Sequence, residues 1–360
     1  MLRRALGTAG VQRDAEREVA LQTLVAAQLG HWRQQPPVQG SQALDQLQRL
    51  NASEPSIVVF ELQGGQVDVW RKSSFRHLPE SETGERRMFR KRLNHYRTLL
   101  SEVLRLWPST RPSRLVMDLR DIPMCCDEWP IFGFQRHVRA NNLLLPDVDF
   151  FHHGWYLNDS DPVPYDVKSN SACFVGASTG APLSADAVRR HASPRLRLAH
   201  AFAGDEQVVF KIAHAAHCDT EETRQLLISQ PYFSTPVAWT EQLKHRFLLS
   251  VDGNGATCSR VVKSLRSQGV LVKFRSEQEL YYFPLMQAGR HFLDVGEASQ
   301  VRQILRTEAQ EPGHHLAVAT AGQAFAARYL SAAGVLDYTR LMLEQYAALL
   351  HEVGAFRPGH

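Results

Sequence analysis

Apolar positions along the chain switch between helical and strand spacing. Between residues 14 and 33, Val19, Leu21, Leu24, Val25 and Leu29 fall at mixed steps of three and four. That pattern predicts an amphipathic helix ended near Pro36 and Pro37. A shorter helix is expected around Leu44, Leu47 and Leu50, and residues 57–62, 63–66 and 67–70 read as strand, Gly-Gly turn and strand. The most regular stretch is 85–107. Phe89, Leu93, Tyr96, Leu100, Val103 and Trp107 repeat at helical spacing until Pro108. Its other face gathers Arg86, Arg87, Arg90, Lys91, Arg92 and Arg97. A solvated face is the expected reading, with contact to phosphates or a membrane surface as the alternative.

Residues 114–119, Arg-Leu-Val-Met-Asp-Leu, read as a buried strand entering Arg120-Asp121-Ile122-Pro123. The stretch 127–170, rich in Pro, Asp, Asn and aromatic residues, is where a domain junction is expected. Further on, 247–251 reads as a strand, 252–255 as a turn, 258–268 as a helix capped by Gly269, and 270–274 as a second strand. Such a β-loop-α-β unit implies parallel strands and a right-handed crossover. A strand at 291–295 and helices near 297–310, 315–332 and 335–352 complete the pattern. The fold class is therefore α/β.

Composition narrows the field without deciding it. At 360 residues, with 44% hydrophobic and 22% charged residues, the chain is long enough for two globular domains. Its 41 basic and 37 acidic residues leave +4, which suits an anionic small ligand but is slight for a nucleic-acid binder, so no nucleic-acid partner is expected. The five cysteines show no zinc-type spacing and fit a reducing compartment. The terminal stretch 1–7 lacks the apolar core of a signal peptide, and no run reaches the roughly 18 apolar residues of a membrane span. A cytoplasmic location is expected, with peripheral contact at the inner membrane face as an extension of it.

The loop 252–257 carries the first candidate chemistry. Its two glycines permit close backbone approach, and the helix start behind it offers unpaired N–H groups. Arg260 falls in the first turn of that helix, where a cation opposes the macrodipole at roughly 0.3–1 kcal/mol unless an anion answers it. A diphosphate would answer both the arginine and the amides. A surface arginine paired with Asp252 is the equal alternative, since a lone Gly-x-Gly is a weak signal. Asp159-Ser160-Asp161 spells D-x-D, a metal-holding pattern elsewhere, but its Asn-Asp-Ser-Asp-Pro setting reads as a loop. His214-x-x-His217 lacks a regularly spaced third ligand and reads as a packed helix face. The vicinal pair Cys125-Cys126 reads as incidental, or as oxidation-sensitive. No Walker A motif and no Gly-x-Ser-x-Gly elbow occurs.

Together, Val251-Asp-Gly-Asn-Gly-Ala-Thr-Cys-Ser-Arg260, Ser267-Gln-Gly-Val-Leu-Val-Lys273, Tyr281-Tyr-Phe-Pro284 and Arg290-His-Phe-Leu-Asp-Val295 resemble the core of capsule-associated-protein glycosyltransferases. This is glycosyltransferase family 90, which includes protein O-glucosyltransferases and lipopolysaccharide glycosyltransferases. The resemblance runs from about residue 110 and is strongest over 240–350. It implies a GT-B architecture, with two Rossmann-like domains facing across a cleft and a C-terminal crossover helix. The corresponding boundaries are 1–160, 161–334 and 335–360. It also implies inverting transfer of glucose or xylose from a UDP-sugar without a metal. The UDP-sugar is then a co-substrate, no other cofactor is expected, and the acceptor is a glycan, lipopolysaccharide or protein hydroxyl.

By position in the family pattern, Arg260 meets the donor diphosphate, and Asp252, Gly253, Asn254, Gly255, Ala256 and Ser259 surround the nucleotide. Cys173-Phe-Val-Gly-Ala-Ser-Thr179 resembles a second donor motif that brings in Gly176, Ser178 and Thr179; Glu277 joins the donor side, and His291 falls near the donor ribose or the cleft wall, with a core histidine as the equal alternative. Arg120-Asp121-Ile-Pro123 matches a segment whose aspartate is the base. Inverting transfer needs such a base to take the acceptor hydroxyl's proton. A turn-capping carboxylate paired with Arg120 is the alternative for Asp121. Two departures stand out: Ser178 replaces an arginine common in relatives, for which Arg189 or Arg190 would have to substitute, and the spacing from Asp252 to Arg260 is one residue long. The first motivates a second reading, a catalytically inactive protein of the same fold that binds sugar nucleotides or glycans.

Overall fold

The computed structural model describes residues 14–70, 84–108, 111–256 and 259–355. The terminal stretch 1–7, Thr257 and Cys258 of the glycine loop, and residues 356–360 of the expected last segment lie outside them. The chain divides into two compact units, Met1–Trp155 with Gln278–Tyr281 and Ala332–His360, and Tyr156–Glu277 with Tyr282–Ser331.

The first unit is built on a five-stranded mixed sheet. Strands β1 (Ile57–Gln63) and β2 (Gln66–Val69) form the expected hairpin. Its tight turn needs positive φ twice, and Gly64 (58°) and Gly65 (78°) supply it without steric penalty. Strand β3 (Ser113–Asp118) pairs antiparallel with β1. Strands β4 (Ile131–Gly133) and β5 (Leu143–Leu144) extend the sheet in parallel. The segments following Asp118, Gly133 and Leu144 therefore leave the sheet at one edge.

Around this sheet lie the helices Ala15–Gln28, Gly40–Ser53, Gly84–Leu106 and Ala332–Glu352. The helix expected over 14–33 is interrupted at Leu29, and a short one follows at Gly30–Gln34. Helix 84–106 buries its predicted stripe of Phe89, Tyr96, Leu100 and Val103. Arg92 does not belong to the solvated face. It stands three residues after Phe89 and four before Tyr96, on the apolar stripe, and is 7% exposed. The C-terminal helix is anchored by the Arg17–Asp337 ion pair (2.6 Å) and by Tyr346 edge-on to Phe132 (5.0 Å). Gln278–Glu279 joins this unit by pairing with Arg136–His137, and Tyr281 stacks on Tyr338 at 4.2 Å.

The second unit holds an all-parallel sheet of β6 (Ser169–Ala177), β7 (Val208–His214), β8 (His245–Ser250), β9 (Val270–Phe274) and β10 (Leu293–Val295). Their spatial order is β7-β6-β8-β9-β10. The expected β-loop-α-β unit is present: helix Ser259–Arg266 links β8 to β9, with Val270 level with Phe247. Gly269 is not a left-handed cap. A Cβ there would stand 2.9 Å from the Arg246 carbonyl oxygen, so close packing is what requires glycine. Phe174, Phe210, Phe247, Leu249 and Val272 share one core with Leu196, Leu227, Val301 and Val318 from the helices. The chain steps one way from β6 to β7, then crosses back to β8 on the other side. Sheets of this order bind ligands at the carboxyl ends of the strands where the direction reverses. No helix among the described residues is long and apolar enough to cross a membrane.

Candidate functional site

At that reversal two loops leave the sheet, 178–184 after β6 and 251–256 after β8, and they pack on each other. A Cβ on Gly253 would lie 2.4 Å from Thr179 Oγ1 and 2.9 Å from Arg195 Nη2. Gly180 has φ +123°, and a Cβ there would approach the Gly253 carbonyl oxygen at 3.3 Å. Gly255 has φ 151°, a conformation that L side chains rarely adopt. Loop–loop contact thus excludes a side chain at Gly253, where sequence alone suggests room for a ligand.

Arg195 joins the two loops, and sequence reasoning passed over it. It lies in the first turn of helix Pro194–Ala201, is 6% exposed, and donates hydrogen bonds to both loops. Nε reaches Asp252 O (3.0 Å), Nη1 reaches Ala177 O (2.9 Å) and Thr179 Oγ1 (2.8 Å), and Nη2 reaches Val251 O (2.8 Å). Its guanidinium carbon stands 5.3 Å from the centre of the Phe174 ring, and that of Arg260 stands 4.8 Å from the same ring. Arg260 is itself buried and donates to Gln242 Oε1 (2.8 Å) and to the Val175 carbonyl. The alternative of a surface arginine does not hold, because Arg260 is 8% exposed and turns to Gln242 and Val175, while the Asp252 carboxylate accepts from Ser276 Oγ. Two buried guanidiniums beside paired glycine loops give this sheet edge a positive character suited to an anion. Cys173 is buried in the middle of β6, and its thiol is pushed up to about 11 by desolvation, partly offset by Arg260.

The remaining donor-side candidates fall into two groups. Ser178 is fully buried, its hydroxyl accepting from the Ala216 amide (2.8 Å) and donating to the Ala216 carbonyl (2.9 Å). It splices the loop after β6 to the one after β7. Arg189 and Arg190 are exposed, and Arg190 pairs with Asp186. Gly176 lies under the Phe174 ring, where an added Cβ would stand 2.8 Å from the nearest ring carbon. Ala256 is buried, Ser259 opens helix 259–266, and Asn254 Oδ1 stands 3.1 Å from His217 Nε2. Glu277 is exposed and follows Ser276 just past β9.

His291 stands apart. Leu293 is level with Val272, so His291 lies near the starts of the strands, with its ring 5.0 Å from Phe325. Burial, then Arg290, lowers its pKa. Past the carboxyl end of β9 and alongside β10, a cavity of about 290 Å³ is lined by Lys273, Ser276, Phe283, Phe292 and Asp294 among others. Lys273 is 7% exposed with its ammonium 4.8 Å from the Phe283 ring centre, and burial lowers its pKa.

Two motifs resolve as structure. Asp161 pairs with buried Lys168 (2.8 Å) and accepts from the Gln268 amide (2.8 Å), while Asp159 faces Lys263 at 3.8 Å. His214 ends β7, and His217 follows in a loop with φ 60°, so the pair is not on a helix face. Among the described residues, no three His, Cys, Asp or Glu side chains gather as metal ligands.

The corner after β3 in the first unit carries Asp121. Asp118 is fully buried and accepts from Arg120 Nη2 (2.7 Å), the Arg120 amide (3.0 Å) and the Met124 amide (2.9 Å). It therefore organises the turn and takes the Arg120 partnership considered for Asp121. Asp121 instead meets Arg92 Nη2 at 2.7 Å, with a third of its side chain exposed (34%). Arg92 Nη1 also donates to Leu119 O (2.6 Å), and Gln135 Nε2 donates to Asp121 O. The result is a partly exposed carboxylate on a backbone fixed from three elements.

Comparison with known proteins bears on the second unit and the C-terminal helix. No curated protein matches the chain. Residues 211–359 match the family model described as Glycosyl transferase family 90, and this match, which spans the 251–256 loop and helix 259–266, supports that family and glycosyl transfer as the function.

Proposed function

We propose that the protein is an inverting glycosyltransferase of GT-B type that moves a hexose or pentose, glucose or xylose foremost, from a UDP-sugar to a hydroxyl of a glycan, lipopolysaccharide or protein. The observation that carries this reading is the pair of packed loops at the strand-order reversal of a parallel sheet, backed by Arg195 and Arg260 on one aromatic ring. Loop amides and the start of helix 259–266 meet the diphosphate, Arg260 contributes its positive field, and the cavity beside Ser276 takes the nucleoside.

In the chemical step the acceptor oxygen forms a bond to the anomeric carbon while the bond from that carbon to the phosphate oxygen breaks. The acceptor proton passes to the Asp121 carboxylate, and the nucleoside diphosphate leaves with the bonding electron pair. Arg92 holds the carboxylate and its backbone in place. Mutation separates the roles: Asp121→Asn keeps UDP affinity and loses roughly 10²–10⁴-fold in transfer, measured as UDP release across a panel of donors and acceptors. Transfer by Asp121→Asn at the wild-type rate refutes the assignment of the base. UDP binding without turnover of any donor by the wild type favours instead a sugar-nucleotide-binding protein, the reading raised by Ser178.

A further inference from the structure

Helix 84–106 has a feature that the transfer reaction does not use. It carries seven basic residues, of which Arg92 is buried, against two acidic ones, a balance of +5 on one helix in a chain of net +4. Arg86, Arg87, Arg90, Lys91 and Arg97 are all exposed. At 100° per residue these five side chains fall within an arc of about 140° and along about 16 Å of helix. The residues interspersed on that arc are neutral, Asn94 among them, and no aromatic side chain stands there.

We infer that this face is a docking surface for an anionic lipid bilayer. Charge complementarity carries the inference. The rest of the chain sums to about −1, so this one helix carries the whole of the chain's positive excess, and its opposite stripe is committed to the core. A plane of phosphate headgroups can meet all five cations at once, within the roughly 8–10 Å over which unscreened charge acts. A single-stranded nucleic acid would in addition need aromatic platforms, which this face lacks. With no apolar side chain on the arc to insert, attachment is electrostatic and reversible by salt.

The test uses the full chain and sedimentation with vesicles of phosphatidylcholine, alone or mixed with phosphatidylglycerol. The wild type is expected to sediment with the mixed vesicles and to be released as salt rises. The triple variant Arg86→Glu/Arg90→Glu/Arg97→Glu should lose on the order of 100-fold in partitioning, at about fivefold per cation. A second triple variant, Arg224→Glu/Lys244→Glu/Arg306→Glu, changes net charge equally on exposed residues of the second unit and should bind as the wild type does. Matching thermal melts of all three proteins show that folding is intact. Equal losses in both triple variants, absence of wild-type binding to the mixed vesicles, or tighter binding to duplex DNA than to those vesicles would each overturn the inference.

Discussion

Arg195 has five N–H donors; three of its hydrogen bonds go to the two loops that form the candidate donor site and another to Ala177 at the end of β6. Lysine at this position keeps the charge but cannot reproduce the planar fork. Arg195→Lys is therefore expected to weaken UDP binding at least about tenfold while lowering stability by only about 1–2 kcal/mol, since each lost hydrogen bond is worth about 1 kcal/mol and some are remade. Calorimetric titration and thermal melting separate these effects, and unchanged UDP affinity would show that the loops hold their shape without Arg195. The sequence contains a sign of this residue. A cation in a helix's first turn drew notice at Arg260 because a Gly-x-Gly loop precedes it. Arg195 follows Ser193-Pro194, an equally clear helix start, but without glycines nearby. At Arg92 the charge of the side chain obscured its position, since spacing from Phe89 and to Tyr96 places it on the buried stripe.

Helix 84–106 also links the first unit to pH through His95, whose ring stacks on Phe151 (4.8 Å) and meets His152 (5.3 Å). Burial, then the charges of His152 and Lys91, lowers its pKa to about 4. The unfolded chain takes up this proton as pH falls through about 6.5, while the folded chain resists until about 4. The associated stability is thus complete above about 6.5 and lost on the way down to about 4. Allowing for the partial exposure of the ring, it amounts to about 1–2 kcal/mol. His95→Phe, which retains the stack without a proton, should lose that much less stability between about pH 7 and pH 4 in urea titrations; identical losses would contradict the assignment. Elements of this kind, with a long regular stripe or a Gly-Gly turn, were legible in the sequence. Strand β6 was not, because Ser169–Ala177 carries one β-branched residue, Val175, and is otherwise small or polar apart from Phe174. Its interior place comes from neighbours on both sides, which local pattern cannot express.

Across the molecule, the α/β class and the β8-helix-β9 unit follow from the apolar pattern, while the strand order that defines the candidate ligand-binding edge is a property of long-range pairing. The motif residues 252–256, 178–179 and 260 are brought to that edge, and His291 is not, because the short strand after it starts level with Val272. Loop–loop packing gives the most direct access to the central claim, that this edge binds a nucleoside diphosphate. Gly253→Ala would place a methyl group 2.4 Å from Thr179 Oγ1 and 2.9 Å from Arg195 Nη2, displacing the side chains that tie the loops together, at about 1–3 kcal/mol of stability. Titration of UDP into wild type and Gly253→Ala, with folding checked by circular dichroism, is the measurement that decides. The account predicts saturable binding by the wild type and at least a tenfold loss in a folded variant; no binding by the wild type, or equal binding by both, would contradict it.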